Sequence, residues 1–325
     1  MVRSIRTLLT SMALLCVVTS VSAQQTEDPR EWLNKMVRAA QTLNYDGTFV
    51  FQSGGRTESM RIIHRKDANG ERERLLSLSG VAREVLRDNR RVTCILPDDA
   101  SVMVGKSRAR GVNSGPLFAG VTVPGHYDLA MRGLDRVAGR VAERVDLQPR
   151  DTYRYGFRLW IDRKTGLLLR SDVVDIERNM LETVAYTSLS LPQHIPDSLL
   201  EPGISGDGFR WVTWEEQERS EPLAKGQAAW KVNWLPDGFK LTEQAIDHRG
   251  DSAHAVDHMV FSDGLASLSL FIEKLGSAGM PLDGHSSMGA VSAFGRMVGS
   301  HQITVVGEVP AATVERVGLS VLPPE

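Results

Sequence analysis

Tyr155 to Val173 reads YGFRLWIDRKTGLLLRSDV, and Phe157, Leu159 and Ile161 alternate there with Arg158, Trp160 and Asp162. Period two over that length is the mark of a strand with one buried face. Arg163-Lys164-Thr165-Gly166 interrupts the pattern before Leu167 to Ile176 resumes it. A glycine ending the interruption supplies the left-handed position that a hairpin of this length requires. The stretch therefore predicts two antiparallel strands, Gly156 to Asp162 and Leu167 to Ile176, and so a sheet.

Working outward, Val141 to Gln148 precedes the hairpin and Met180 to Leu191 follows it. Further upstream, Tyr45 to Gln52, Ser59 to Arg65, Arg72 to Ser79, Arg83 to Arg87, Arg91 to Leu96 and Ser101 to Lys106 are short, apolar or β-branched, and separated by Gly, Asn and Asp, the composition of an antiparallel meander. Between the two groups, Gly115-Pro116 and Pro124-Gly125 mark loops, and a short helix is expected near Tyr127 to Arg132. One stronger helix is announced by Asp28-Pro29-Arg30-Glu31, a capping residue, a proline at the first helical position and an acid three residues after the cap. Trp32, Met36, Ala40 and Leu43 then recur at helical spacing. One helix and about ten strands give a large antiparallel sheet curled around a helix, and such a sheet can enclose an apolar cavity.

From Glu201 to Gln227 the chain turns to Pro202, Gly203, Gly206, Gly208, the acidic Glu215-Glu216-Gln217-Glu218, Pro222 and Gly226, the composition of an interdomain linker. Trp211 and Trp214 are unusual for a free linker and are expected to dock on a domain. Strands resume at Lys240 to His248, Val256 to Ser262 and Leu265 to Lys274, the last two joined through Asp263-Gly264, a two-residue hairpin signal. Ala290 to Val298 and Gln302 to Val309 follow, then a short helix opened by Pro310. The expected fold class is α+β throughout, with residues 24–200 as the large sheet domain, 201–227 as linker and 228–325 as a smaller α+β domain.

The bulk numbers fit export. Arg3 and Arg6 precede an uncharged stretch, Thr7 to Val21, and Val21-Ser22-Ala23 has the small residues a signal peptidase reads, so residues 1–23 are expected to be a cleaved signal peptide. Its apolar heart, Leu8 to Val18, is shorter than the roughly 20 residues of a membrane-spanning helix. Leu15 before Cys16 is the wrong neighbour for a lipidation signal. The 38 basic and 40 acidic residues become 36 and 40 without Arg3 and Arg6, a balance of −4 that gives nucleic-acid binding no support. Only Cys94 then remains of the two cysteines, so the exported chain has no disulfide within itself and must be held by its cores.

Six stretches, in order along the chain, resemble the RseB/MucB family. They are LNYDGTFVF at 43–51, RERLLSLSG at 72–80 with REVLR at 83–87, YGFRLWIDRKTGLLLRSDV at 155–173, WLPDGF at 234–239, FSDGLASLSLFIE at 261–273 and VVGEVPAATVERV at 305–317. The resemblance implies a half-barrel like that of the periplasmic lipoprotein carriers, with helices plugging its open side, and a smaller second domain. It also implies a periplasmic negative regulator of a sigma-E/AlgU-type envelope stress response. Such a protein binds the periplasmic domain of a single-pass anti-sigma factor, denies it to the site-one protease until a lipid or lipopolysaccharide signal releases it, and in Pseudomonas-type bacteria restrains alginate production. No cofactor is implied, and a homo-oligomer is compatible with the family. The linker and Leu96 to Pro124 do not match residue by residue. A lipid or lipoprotein carrier is the alternative, although it has no need of the second domain.

The candidate lipid-cavity residues are Phe49, Phe51, Met60, Ile62, Phe157, Leu159 and Ile161, which alternation places on one sheet face; the plain alternative is ordinary core against the Trp32 helix. Candidate partner anchors are Trp234, Phe239 and Phe271 in the second domain; the plain alternative is that all three are buried in that domain's own core. Arg83, Arg87, Arg90 and Arg91 could face acidic groups or phosphate, but a solvated sheet face explains them without a function. His248, Asp251, His254, Asp257 and His258 hold metal-ligand types, yet His254 and His258 in a strand sit too far apart to share one ion, and Ala255 stands where a metalloprotease helix needs Glu. No metal site is therefore expected. Nor is a catalytic one: there is no Gly-x-Ser-x-Gly elbow, glycine-rich phosphate loop or Cys-x-x-Cys, and Cys94 lies in an apolar strand where a thiol is inert packing.

Overall fold

The computed structural model describes residues 28–89, 91–106, 125–214, 230–248, 255–275 and 281–324. The proposed signal peptide, the later part of the expected linker, Arg90 and the stretch containing Asp251 and His254 lie outside them.

Helix α1 (Pro29–Thr42) starts as its sequence requires, with the Arg30 amide donating to the Asp28 carboxylate at 2.9 Å and Pro29 in the first turn. It buries Trp32, Leu33, Met36, Ala39 and Ala40. Twelve strands follow in one sheet: β1 (Tyr45–Ser53), β2 (Arg56–Asp67), β3 (Gly70–Ser77), β4 (Glu84–Asp88), β5 (Arg91–Leu96), β6 (Ser101–Lys106), β7 (Tyr127–Val137), β8 (Arg140–Pro149), β9 (Gly156–Asp162), β10 (Leu168–Val174), β11 (Met180–Ser190) and β12 (Arg210–Trp214). Their order is β12-β6-β5-β4-β3-β2-β1-β11-β10-β9-β8-β7. β1 joins two meanders by pairing with both β2 and β11. One face of β1, β2, β8, β9 and β11 packs round α1, which curls the sheet into a half-barrel.

Two expectations are corrected here. Tyr127 to Arg132 is not helical but part of the edge strand β7, where a bulge between Met131 and Leu134 contains Gly133 at φ +85°. The bulge breaks the period-two pattern that would have announced a strand. The second concerns Glu201 to Trp214, read as the start of the linker. The amides of Gly203 and Ile204 donate to the buried Glu84 carboxylate, Ile204 and Phe209 pack on Ile95, Val102 and Val104, and β12 pairs in parallel with β6. These residues close one end of the first sheet, which is antiparallel except for that pair. Trp211 docks by its strand backbone and by its indole N–H, which donates to the Gly206 carbonyl at 3.4 Å, yet it remains 61% exposed.

The second domain contains β13 (Lys231–Val232), β14 (Lys240–His248), β15 (Ala255–Ser262), β16 (Ser267–Lys274), β17 (Gly284–Met288), β18 (Val291–Val298), β19 (His301–Gly307), α2 (Ala311–Ser320) and β20 (Val321–Leu322). A six-stranded sheet, β14-β15-β16-β19-β18-β17, lays Phe261, Leu268, Leu270, Ile303 and Val305 against Val314 and Val317 of α2. Asp263-Gly264 does not form a two-residue turn: the ladder ends at Ser262–Ser267, leaving the four-residue loop 263–266.

The β9–β10 turn bears out its glycine. Gly166 has φ +86°, and a Cβ there would lie 3.0 Å from the Lys35 carbonyl oxygen of α1. Gly166→Ala is therefore expected to destabilise the chain by about 1–3 kcal/mol, read as a lowered urea midpoint at unchanged slope.

Candidate functional site

The seven candidate cavity residues occupy a single core. Phe49, Met60, Ile62, Phe157, Leu159 and Ile161 are buried, with Phe51 half-buried against them, around Trp32, Leu33 and Met36 of α1. Close to the helix, the core alternative is thus the correct description. The same face continues past it. Ile62, Leu75, Val85, Cys94 and Met103 stand directly opposite one another across β2, β3, β4, β5 and β6. Ile62 is buried, whereas Leu75, Val85, Cys94 and Met103 are all half-buried. The alternation of each strand could have been read from sequence, but not the register that aligns them.

Polar groups also sit within this apolar face. The Tyr127 and Tyr186 hydroxyls are buried with no hydrogen-bond partner among the described residues. An unpaired buried hydroxyl is costly. Burial pushes both phenols well up, helped by the charge of Asp263 at Tyr127 and of Glu73 at Tyr186.

Of the candidate anchors, two are occupied within the chain. Trp234 makes an edge contact with Tyr153 of the first domain at 4.9 Å between centroids, and the Arg316 guanidinium lies 4.1 Å over its ring. Phe239 is buried with the Arg154 guanidinium 5.3 Å above it. Both face an interdomain seam that sequence reasoning missed. Its centre is Arg154, which binds Asp151 and the Asp237 carbonyl (2.7 Å) and pairs with Asp263; the side chains of Arg154 and Asp263 are both 0% exposed. At the side, one oxygen of Glu182 accepts from Ser53 (2.8 Å) and from the Ala290 amide (3.0 Å).

Phe271 is placed differently. It stacks on His258 at 4.3 Å on the outer face of the second sheet, beside a groove of about 290 Å³ lined by Ser267, Ser269, Phe271, Val291, Val306 and Glu308. Burial pushes the Glu308 carboxyl up to about 7, with Glu182 adding to it. A carboxyl raised in the folded state stabilises the fold most below its unfolded value, and that contribution is lost as pH rises through the folded one. Glu308→Gln is expected to raise the melting temperature at pH 8 by about 2–4 °C and to flatten its fall between pH 5 and 8, followed by calorimetry across that range.

The remaining charged and metal-ligand candidates among the described residues make contacts within the chain. Asp257 reaches Gln244 at 3.3 Å while His258 reaches Ser269 at 3.1 Å on the opposite sheet face, as strand geometry requires. His64, Glu71 and Glu73 lie within 4.8 Å of one another, but His64 is held by the Leu43 carbonyl at 2.8 Å and Glu71 at 3.2 Å, and Glu73 lies 4.0 Å from Arg87. Arg83 pairs with Glu58 at 2.6 Å. Burial pushes the Cys94 thiol up, against a smaller opposing effect of Arg87, which weakens it as a nucleophile. No helix among the described residues is long and apolar enough to cross a membrane.

Comparison with known proteins covers both domains. Residues 28–204 match the MucB/RseB N-terminal domain and residues 224–322 the MucB/RseB C-terminal domain. The chain is 34% identical over 319 residues to the sigma factor AlgU regulatory protein MucB of Pseudomonas aeruginosa, covering 96% of each. It is 27% identical to the sigma-E factor regulatory protein RseB of Haemophilus influenzae, covering 95% of each. Among solved structures it resembles MucB in its complex with MucA(peri), with a TM-score of 0.70 and 31% identity over 92% of this chain and 100% of that one.

Proposed function

This chain belongs to the MucB/RseB family, and we propose that it is a periplasmic negative regulator of a sigma-E/AlgU-type factor. It acts by binding and shielding the periplasmic domain of a membrane anti-sigma factor. What carries this reading is the extent of the likeness: both domains, in order, with a fold like that of MucB bound to MucA(peri). The role needs no chemistry from the protein, in keeping with a regulator that is not an enzyme. Phe271 and its groove on the second sheet are the anchor left for a partner once Trp234 and Phe239 are spent in the seam. A direct test follows cleavage of the anti-sigma periplasmic segment by its site-one protease. Cleavage should slow in proportion to the fraction bound; an unchanged rate at saturating chain would refute shielding.

The releasing signal in this proposal is an acyl chain. It is supported by the half-buried row from Leu75 to Met103, which could gain about 0.8 kcal/mol for each methylene it covers, and by the Tyr127 and Tyr186 hydroxyls, which ester or hydroxyl groups of a lipid could satisfy. Cys94 lies in that row, so its reaction with a maleimide at pH 8 should slow several-fold when lipopolysaccharide is added. Unchanged labelling would place the lipid elsewhere or nowhere.

A further inference from the structure

Loop 263–266 belongs to the second domain by sequence, yet its Leu265 is 0% exposed within the first domain's core, in the cluster of Trp32, Phe157 and Tyr127. The loop is built to hold it there. One oxygen of the Asp263 carboxylate accepts from the Leu265 amide at 2.8 Å and the Ala266 amide at 2.7 Å, while the other binds Arg154. The group that shapes the loop is thus the group that fastens it to the first domain. Arg154 is held in turn by Asp151 of its own domain and by the Asp237 carbonyl of the other. Tyr127, with its unpartnered hydroxyl, has the same guanidinium 5.9 Å over its ring.

We propose that Leu265 is a built-in competitor of the apolar ligand, so that an acyl chain entering the first domain's core displaces Leu265 and with it the second domain. This rests on the acyl-chain reading above. A protein core is close-packed and does not hold a leucine and an extra alkyl chain in one place. Whatever favours the chain over the leucine therefore favours the parted domains, and the coupling is reciprocal. Fixing the second domain in its seat should weaken the ligand, and removing Leu265 should strengthen it.

The test uses the full chain from Gln24 and a dansyl-labelled undecanoic acid as probe. Titration by fluorescence compares the wild type with Leu265→Ala and with the conservative Leu265→Met. A second measurement needs no variant of the loop: spin labels at Glu177→Cys and Met297→Cys, both exposed, in a Cys94→Ser background, report the interdomain distance with and without probe. The expected results are binding at least about fivefold tighter for Leu265→Ala, wild-type affinity for Leu265→Met, and a longer distance when probe is bound. Equal affinities with an unchanged distance would overturn the competition and leave acyl binding intact. Failure of the probe to bind either protein would overturn both.

Discussion

Arg154→Ala should be among the most damaging single substitutions in the chain, at about 3–5 kcal/mol, because it leaves the Asp263 carboxylate buried without its cation. The side chain of Asp263 is 0% exposed, so water does not take the place of the guanidinium, and the loop amides serve only its other oxygen. The loss should also change the form of unfolding. Each domain has its own core, one around α1 and the other between the six-stranded sheet and α2, and they are joined by Leu265 and the Arg154 seam. With the seam broken, urea unfolding followed by tryptophan fluorescence should split into two transitions, whereas replacing both partners, Arg154→Met with Asp263→Leu, should cost much less than Arg154→Ala. A single transition at an unshifted midpoint in Arg154→Ala would show that the pair does not hold the domains together.

The second large effect is expected inside the curled sheet. Leu159 is 1% exposed at the heart of the α1 core, and Leu159→Ala should cost about 2–5 kcal/mol, the wide range reflecting how far the surroundings close over the gap. If they close little, the cavity is apolar and dry, and such cavities take up small apolar molecules. The variant should therefore lose stability in calorimetry and regain part of it in the presence of an alkyl probe that leaves the wild type's melting temperature almost unmoved. A loss below about 1 kcal/mol would mean that this face is loosely packed already.

Much of the fold could be read from the chain because its signals were local. Asp28 and Pro29 start α1, Gly166 turns β9 into β10, and alternation from Phe157 to Ile161 names the buried face. What escaped was set by distant partners. β12 pairs with a strand about a hundred residues earlier, in a stretch whose glycines and prolines look like linker. The β7 bulge disguises a strand. Asp263-Gly264 suggests a tight turn, and only Arg154 in the other domain explains why the loop is longer and carries a buried leucine. The candidate site divides in the same way. The seven cavity residues share one face, as their spacing implied, but how α1 fills it follows from packing, as does the extension through Cys94. Trp234 and Phe239 were recognisable as anchors, with burial in their own domain as the plain alternative; they do pack in the second domain's core, and what was not recognisable is that they also meet Tyr153 and Arg154 of the first domain.

Shielding and its release by lipid are tested together by a calorimetric titration of the full chain from Gln24 with the periplasmic segment of the anti-sigma factor, repeated with lipopolysaccharide present. The expected dissociation constant is at or below about 1 µM, raised severalfold by the lipid. No heat of binding with both components at tens of micromolar, seen at two temperatures so that a vanishing enthalpy is not mistaken for absence, would contradict shielding and leave the carrier reading in its place.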